Sequence, residues 1–269
     1  MNIQSFTNLN NRSVIGVSGE ETFDFLQSIV TGDISLLLEG KSVASCLLSP
    51  QGRVLFDFIL HKNFNDKKGL SVFVDCEKLE TEDIIKKLKI YRLRSKIDII
   101  NLTDWNVCLC PNETVNSTAD PRHMKLPKRV IAKVGLGKND QGLELEYNRL
   151  RHELCLPEGS KEIPRGEALP LDYWMDKTGH ISFNKGCFVG QEVTARIFHR
   201  NKIRRRLIIL DADFKGFSEG HDFNREFKLM TRTLGRTFYL VSVNFLENLK
   251  SNFISYKGED IKFYSFYNY

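Results

Sequence analysis

Long apolar runs are missing from this chain of 269 residues. No segment approaches the roughly 20 consecutive apolar residues that cross a bilayer, so the sequence predicts no transmembrane helix. Residues 1–6 have neither a basic stretch nor an apolar one, and we therefore expect no signal peptide. From these absences we expect a cytosolic protein without a membrane anchor.

Metal-binding spacings are also missing. Six cysteines are scattered along the chain without any C-x-x-C pair, and the six histidines show no ligand spacing. In a long chain without a secretory signal, such cysteines are expected to be reduced thiols. Cys108 and Cys110 lie two apart in an apolar stretch, so they should share one buried strand face. A metal site built wholly from this chain is not expected, although one exposed thiol can supply a ligand to a shared cluster.

A strong net charge is lacking as well. The net charge is +5, with 41% hydrophobic and 27% charged residues, values typical of a soluble globular protein. The cations are unevenly placed, because seven basic residues fall within the eleven positions from Arg196 to Arg206. Such a run is most often a solvated face, but it also suits nucleic acid, an acidic protein or a polyanionic ligand tail.

Helix and strand patterns alternate over most of the chain. Apolar stretches at 43–48 and 54–60 flank Ser49-Pro50-Gln51-Gly52, which predicts a hairpin with a type I turn. Helical patterns cover 81–92 and 144–154. After Arg206 only short strand patterns follow, which predicts a small β-barrel. We therefore expect an α+β domain over 1–200 and a C-terminal β-barrel domain over 201–269.

The segment from Lys185 to Arg196 carries the most chemistry. Its cysteine, Cys187, lies between Gly186 and Gly190, which permit a tight turn. Residues 181–183 resemble the end of a strand, and the residues after Gly190 suit a helix. Unpaired N–H groups at a helix start and a neighbouring ammonium both stabilise a thiolate. The alternative is a small buried cysteine in a turn, but the flanking lysine, glutamine and glutamate favour a functional site.

Residues 185–192 read K-G-C-F-V-G-Q-E and resemble the K-G-C-[FY]-x-G-Q-E motif of the folate-binding YgfZ family. That family includes mitochondrial iron–sulfur maturation factors related to the T protein, the aminomethyltransferase of the glycine cleavage system. Segments at 26–33, 91–97 and 169–172 are similar to further motifs of the family. The resemblance implies a T-protein-like ring of two α+β subdomains plus a C-terminal antiparallel β-barrel around a folate-sized opening.

The resemblance implies functional roles for two acidic residues, Asp57 and Glu153. Asp57 interrupts an apolar strand pattern, so burial should raise its pKa and suit it to proton transfer; an edge-strand or turn-capping role is equally open. In T proteins an acidic pair ends this segment and its second aspartate assists one-carbon transfer, whereas Phe56 replaces the first acid here. Glu153 matches a glutamate that contacts the pterin in T proteins, although Cys155 replaces the usual glycine and a surface role is the alternative.

The motif residues complete the predicted site. Lys185 and Arg196 would hold the glutamate tail of folate or stay solvated, and Gln191 and Glu192 would cap the helix or face the ligand. The expected catalytic residues are Cys187 and Asp57, with Cys187 also a possible ligand of a shared cluster. The expected cofactor-binding residues are Glu153, Lys185, Gly186, Gly190, Gln191, Glu192 and Arg196.

Three functions compete at this point. The first is a monomeric, tetrahydrofolate-binding accessory protein for assembly or repair of iron–sulfur enzymes, tRNA-modifying ones included, which works with assembly proteins or client enzymes. The second is an aminomethyltransferase, favoured by Asp57; whether the chain is an enzyme stays open. The third is an RNA- or protein-binding scaffold, which ranks last because the basic run lacks interleaved aromatics.

Overall fold

The computed structural model describes residues 6–64, 71–110, 116–211, 226–249, 251–256 and 258–266. Three sheets and a few helices form a mixed α+β architecture, which confirms the predicted fold class. The strands are β1 (Phe6–Asn8), β2 (Arg12–Ser18), β3 (Val43–Leu48), β4 (Val54–Lys62), β5 (Val72–Glu77), β6 (Asp98–Asn101), β7 (Trp105–Cys110), β8 (Lys128–Lys133), β9 (Gly137–Lys138), β10 (Arg205–Leu210), β11 (Phe227–Thr233), β12 (Arg236–Ser242), β13 (Phe253–Tyr256) and β14 (Glu259–Tyr264). The α-helices are α1 (Thr22–Ile29), α2 (Thr81–Arg92), α3 (Gln141–Glu153), α4 (Gln191–His199) and α5 (Val243–Asn248).

The first sheet is antiparallel throughout, in the order β3-β4-β5-β2-β6. Helix α2 packs on it through Ile84, Ile85 and Leu88, whose spacing places them on one face. The predicted hairpin between β3 and β4 is confirmed, and its turn is closed by a hydrogen bond of 2.8 Å from Gly52 N to Ser49 O.

The second sheet has the order β8-β7-β1-β9, with β9 parallel to β1. Helix α3 packs on it, with Tyr147 in the same apolar cluster as Leu109 of β7. This helix begins three residues before the predicted start at 144, because Asp140 caps it by accepting a hydrogen bond of 3.0 Å from Leu143 N. Cys108 and Cys110 lie buried on one face of β7, as predicted.

The third sheet is antiparallel in the order β11-β12-β10-β14-β13, so the β-rich C-terminal region is present. Its closure into a barrel stays a prediction, as does the domain boundary at residue 200. One apolar cluster contains residues from both sides of that boundary, and Trp174 Nε1 donates a hydrogen bond of 2.8 Å to Leu207 O of β10.

A buried ion-pair network joins the first two sheets to the loop after α3. Arg12 Nε of β2 lies 2.6 Å from Asp75 Oδ1 of β5, and Arg129 Nη2 of β8 lies 2.9 Å from Glu158 Oε2. Arg129 Nε also contacts Asp120 at 3.1 Å. Burial alone would raise the pKa of Asp75, but the guanidinium groups of Arg12 and Arg129 hold it well below its ordinary value. These carboxylates therefore stay ionised inside the protein.

Arg129→Met should lower the free energy of unfolding by about 3–5 kcal/mol, because it leaves buried carboxylates without their cation. Urea unfolding at pH 7.5 measures this loss. The control is Lys41→Ala, which breaks the exposed pair between Lys41 and Glu39 and should cost below about 1 kcal/mol. Equal losses in the two variants would show that the network contributes no more than a surface pair.

Candidate functional site

Cys187 is exposed, whereas the other five cysteines are buried free thiols. It lies on an irregular loop that leads into α4. The predicted strand at 181–183 is wrong, since these residues form no ladder: Ile181 N donates to Met175 O at 3.2 Å and Ser182 N donates to Thr31 O at 3.0 Å. The side chain of Phe183 instead stacks on Phe198 of α4, with ring centroids 4.0 Å apart.

Lys185 fixes the first end of this loop. Its Nζ donates hydrogen bonds to Val30 O at 2.8 Å and to Gly32 O at 3.0 Å. Burial lowers the pKa of Lys185 to about 8, against the opposing charge of Asp33. Both acceptors belong to the protein, so the ammonium holds the loop in place and does not project towards a ligand.

Gly190 fixes the other end. It is the N-cap of α4 with φ +79°, and a Cβ there would lie 2.4 Å from Ser49 O of the hairpin turn. Gly52 of that turn has φ +73°, and a Cβ on it would lie 3.1 Å from Val193 Cβ of α4. The turn and the helix start therefore meet backbone to backbone, which only glycine permits. Gly186 differs, since nothing lies within 4 Å of its added Cβ.

The remaining motif residues divide into two kinds. Gln191 closes the loop, because its Oε1 accepts a hydrogen bond of 3.3 Å from Phe188 N. Glu192 and Arg196 are exposed, and the described parts of the chain hold no ion pair to either. Glu192 lies in the first turn of α4, where a negative charge is favoured by the helix dipole.

Gly190→Ala should lower the free energy of unfolding by about 1–3 kcal/mol, since the methyl group meets the Ser49 carbonyl and the backbone has a positive φ. Gly186→Ala is the matched control four residues away, and its cost should stay within about 0.5 kcal/mol. Thermal and urea unfolding of both variants measure the difference. A Gly190→Ala variant as stable as Gly186→Ala would contradict the close packing of turn and helix.

Asp57 lies on β4 with only 4% of its surface exposed. Successive side chains of a strand face opposite sides, so Phe56 packs in the apolar core while Asp57 faces the ion-pair network. Its carboxylate accepts from Gly159 N, at 3.1 Å and 3.3 Å to the two oxygens. Burial raises the pKa of Asp57 to about 6, with Arg12 opposing and Glu158 adding to the shift. The expected burial and raised pKa are therefore found.

Asp57→Asn should raise the free energy of unfolding at neutral pH. The folded-state pKa of about 6 exceeds the ordinary value of 3.8, so ionised Asp57 destabilises the fold above pH 6 and ceases to do so as the pH falls towards 4. The asparagine keeps an acceptor for Gly159 N, and the gain at pH 7.5 should be on the order of 2–3 kcal/mol. Urea unfolding at pH 7.5 and at pH 4.5 tests this.

The gain from Asp57→Asn should shrink at pH 4.5, while Asp24→Asn on the exposed side of α1 should show no such trend. A gain that stays the same at both values of pH would contradict the raised pKa of Asp57.

Glu153 ends α3, and its Oε1 lies 3.3 Å from Arg236 Nη2 of the third sheet. Two residues later Cys155 has φ +54°, the left-handed region that favours glycine. The backbone after α3 thus has the conformation that the glycine of the family motif would favour, although a buried cysteine occupies this position.

The predicted site residues do not form one contact cluster. Across the described ranges, no hydrogen bond or ion pair joins Asp57 or Glu153 to residues 185–196. The same part of the chain holds no group of three His, Cys, Asp or Glu side chains arranged for a metal ion. It also holds no helix long and apolar enough to cross a membrane.

Sequence reasoning missed the charged residues around Asp57, chiefly Arg12, Asp75, Arg129 and Glu158. Asp75 lies in the apolar strand β5, so the reasoning that singled out Asp57 as a charge in an apolar strand also applied to it.

The fold is that of the glycine cleavage T protein. The structure superposes on a crystal structure of glycine cleavage system aminomethyltransferase T from Bartonella henselae with a TM-score of 0.67 and 15% identity, over 97% of this chain and 85% of that chain. At this identity the likeness shows the fold alone. No protein-family model matches the chain.

Proteins of similar sequence identify the family within this fold class. The chain is 30% identical over 246 residues to the mitochondrial iron–sulfur cluster assembly factor IBA57 homolog of Dictyostelium discoideum, covering 74% of this chain and 60% of the relative. The mouse mitochondrial factor IBA57 is 28% identical over 228 residues, covering 74% of this chain and 64% of the relative. The predicted family is confirmed: the chain is a homologue of proteins named IBA57 iron–sulfur cluster assembly factors. It spans about 60% of the length of these relatives.

The predicted cytosolic location is wrong. The relatives from Dictyostelium discoideum, mouse and human are all named as mitochondrial proteins. The prediction rested on the expectation of no signal peptide and no membrane span, which is no evidence against a mitochondrial protein.

Proposed function

We propose that this chain is a mitochondrial, tetrahydrofolate-binding accessory protein for the assembly or repair of iron–sulfur enzymes, tRNA-modifying enzymes among them. The names of its relatives support the iron–sulfur role, and the T-protein fold is consistent with folate binding. The observation that carries the proposal is the single exposed thiol of Cys187, on a loop fixed by Lys185 and Gly190.

Cys187 would act as a ligand or nucleophile towards a partner. Thiolate is a soft ligand that suits iron–sulfur clusters, and a buried thiol is inert in comparison. A cluster needs several ligands, and this loop offers one cysteine. The remaining ligands would therefore come from an assembly protein or a client enzyme, with the cluster as shared cargo.

Folate would bind through Glu153, which is half-buried at the end of α3. A pterin presents an amino group beside an N–H, which a carboxylate such as Glu153 can accept together. Of the motif residues, Glu192 and Arg196 are open to a ligand, whereas Lys185, Gly190 and Gln191 shape the loop and Gly186 leaves room beside it.

An aminomethyltransferase remains the second candidate. Asp57 favours it, because a buried carboxyl with a pKa of about 6 suits proton transfer near neutral pH. Catalytic sites retain residues that lower the stability of the fold, and the ionised carboxylate of Asp57 is expected to be such a residue. Phe56 stands where T proteins have the first acid of their acidic pair. Its side chain packs in the apolar core, so this difference takes no carboxylate away from the face of β4 that carries Asp57.

Cys187→Ser should abolish iron–sulfur enzyme activity in cells that depend on this chain, because a neutral hydroxyl is a poor metal ligand. Tetrahydrofolate affinity, measured by calorimetry, should stay within about twofold, since the pterin contacts lie elsewhere. Cys46→Ala is the control, because Cys46 is fully buried and should support growth. A Cys187→Ser variant that complements fully would remove the thiol from the function, and wild-type protein that binds no folate would remove the folate role.

A further inference from the structure

Exposed cations cluster beside the Cys187 loop. We define the basic patch as five exposed residues on α4 and the segment after it, Arg196, His199, Arg200, Lys202 and Arg204. The other two members of the basic run differ. Arg205 is half-buried at the start of β10, and Arg206 is buried with its Nη1 2.6 Å from Asp176 Oδ1.

The basic patch makes few contacts with acidic groups, and Glu247 of α5 lines one cavity together with Arg204. The described residues offer no ion pair to Arg196, Arg200, Lys202 or Arg204, and Glu192 is the one acidic residue between 191 and 206. The outer face of α2 is different, because it mixes Glu82 and Asp83 with its lysines. A mixed face is typical of simple solvation, whereas a patch of one sign repels itself and attracts the opposite charge.

The basic patch follows the Cys187 loop directly along the chain. Phe183, four residues before Cys187, stacks on Phe198 and meets the ring of His199 edge-on at 5.9 Å. Helix α4 rises directly from the loop, so Arg196 lies about 9 Å along the helix axis from Gly190. That distance slightly exceeds the Debye length of about 8 Å at physiological salt, so the charge of Arg196 is largely screened there and acts on the loop mainly at low salt, where the Debye length reaches about 30 Å.

We propose that the basic patch and Cys187 form one docking surface for an acidic protein segment that brings its own sulfur ligand to the thiol. The proposal rests on the function proposed above and adds the charge of the partner. A protein is favoured over RNA because Phe183 and Phe198 stack on each other and leave no aromatic platform for bases.

The test uses Cys187 as a reporter, since it is the exposed thiol among the six. Rates of reaction are measured with dithiobis(nitrobenzoate), which carries two negative charges, and with neutral dithiodipyridine. Each reagent forms a mixed disulfide and releases one thiol, which is followed by absorbance. The anionic-to-neutral rate ratio should fall several-fold from 10 mM to 0.5 M salt, because the Debye length shrinks from about 30 Å to a few ångströms.

Substitutions that reverse or remove charge test whether the basic patch causes the salt dependence of the rate ratio. Arg196→Glu with Arg200→Glu should lower the rate ratio at 10 mM salt several-fold, and the milder Arg196→Gln with Arg200→Gln should lower it less. The control is Lys86→Glu with Lys89→Glu on the exposed face of α2, which makes the same change in net charge and should leave the ratio nearly unchanged. Equal effects of the two glutamate pairs, or no effect of the Arg196 and Arg200 variants, would overturn the proposal.

Direct binding separates the possible partners. A fluorescent 15-residue glutamate-rich peptide should bind the wild type in 0.15 M salt more tightly than a 15-nucleotide RNA, and Arg196→Glu with Arg200→Glu should abolish binding. Tighter binding of the RNA would overturn the choice of an acidic protein. None of these probes contains iron or folate, so the result does not depend on whether the cluster role of Cys187 holds.

Discussion

Opposite charges held together in a dry interior are the constraint on which the rest of this structure depends. Arg12, Asp75, Arg129 and Glu158 come from β2, β5, β8 and the loop after α3, so their ion pairs join two sheets and that loop. Transfer of such groups from water costs several kcal/mol per ion, and replacing them all by apolar residues is often neutral. We infer that their value lies in fixing how the two sheets meet, because any other arrangement leaves a buried charge unpaired.

Asp57 takes its properties from that arrangement. The guanidinium groups of the network are already occupied by Asp75, Asp120 and Glu158, so Asp57 receives mainly the Gly159 amide. This explains why two buried aspartates on neighbouring strands have pKa values shifted in opposite directions. One serves the fold as a permanent anion, and the other is left able to exchange a proton.

The sequence predicted local features well and distant contacts poorly. The hairpin turn at 49–52, helix α2 and the exposed Cys187 were each readable from neighbouring residues. The strand expected at 181–183 is absent, because its apolar residues are used in packing against Phe198 and not in a ladder. The ion-pair network could not be predicted from the sequence, since Arg12 and Asp75 lie 63 residues apart and no residue near either one indicates that the two form a pair. The acceptors of Lys185 could not be predicted for the same reason, as residues 30 and 32 lie more than 150 residues away from it.

Strand β4 connects the two halves of the candidate site. The strand begins two residues after Gly52, and the turn that contains Gly52 packs against Gly190 at the start of α4. Asp57 lies on the same strand, three residues after its first residue. Close backbone packing transmits displacement, because neither glycine leaves space for the turn to move independently of the helix. The buried carboxyl of Asp57 and the exposed thiol of Cys187 thus lie on two separate segments of the chain, which meet where Gly52 packs against the start of α4.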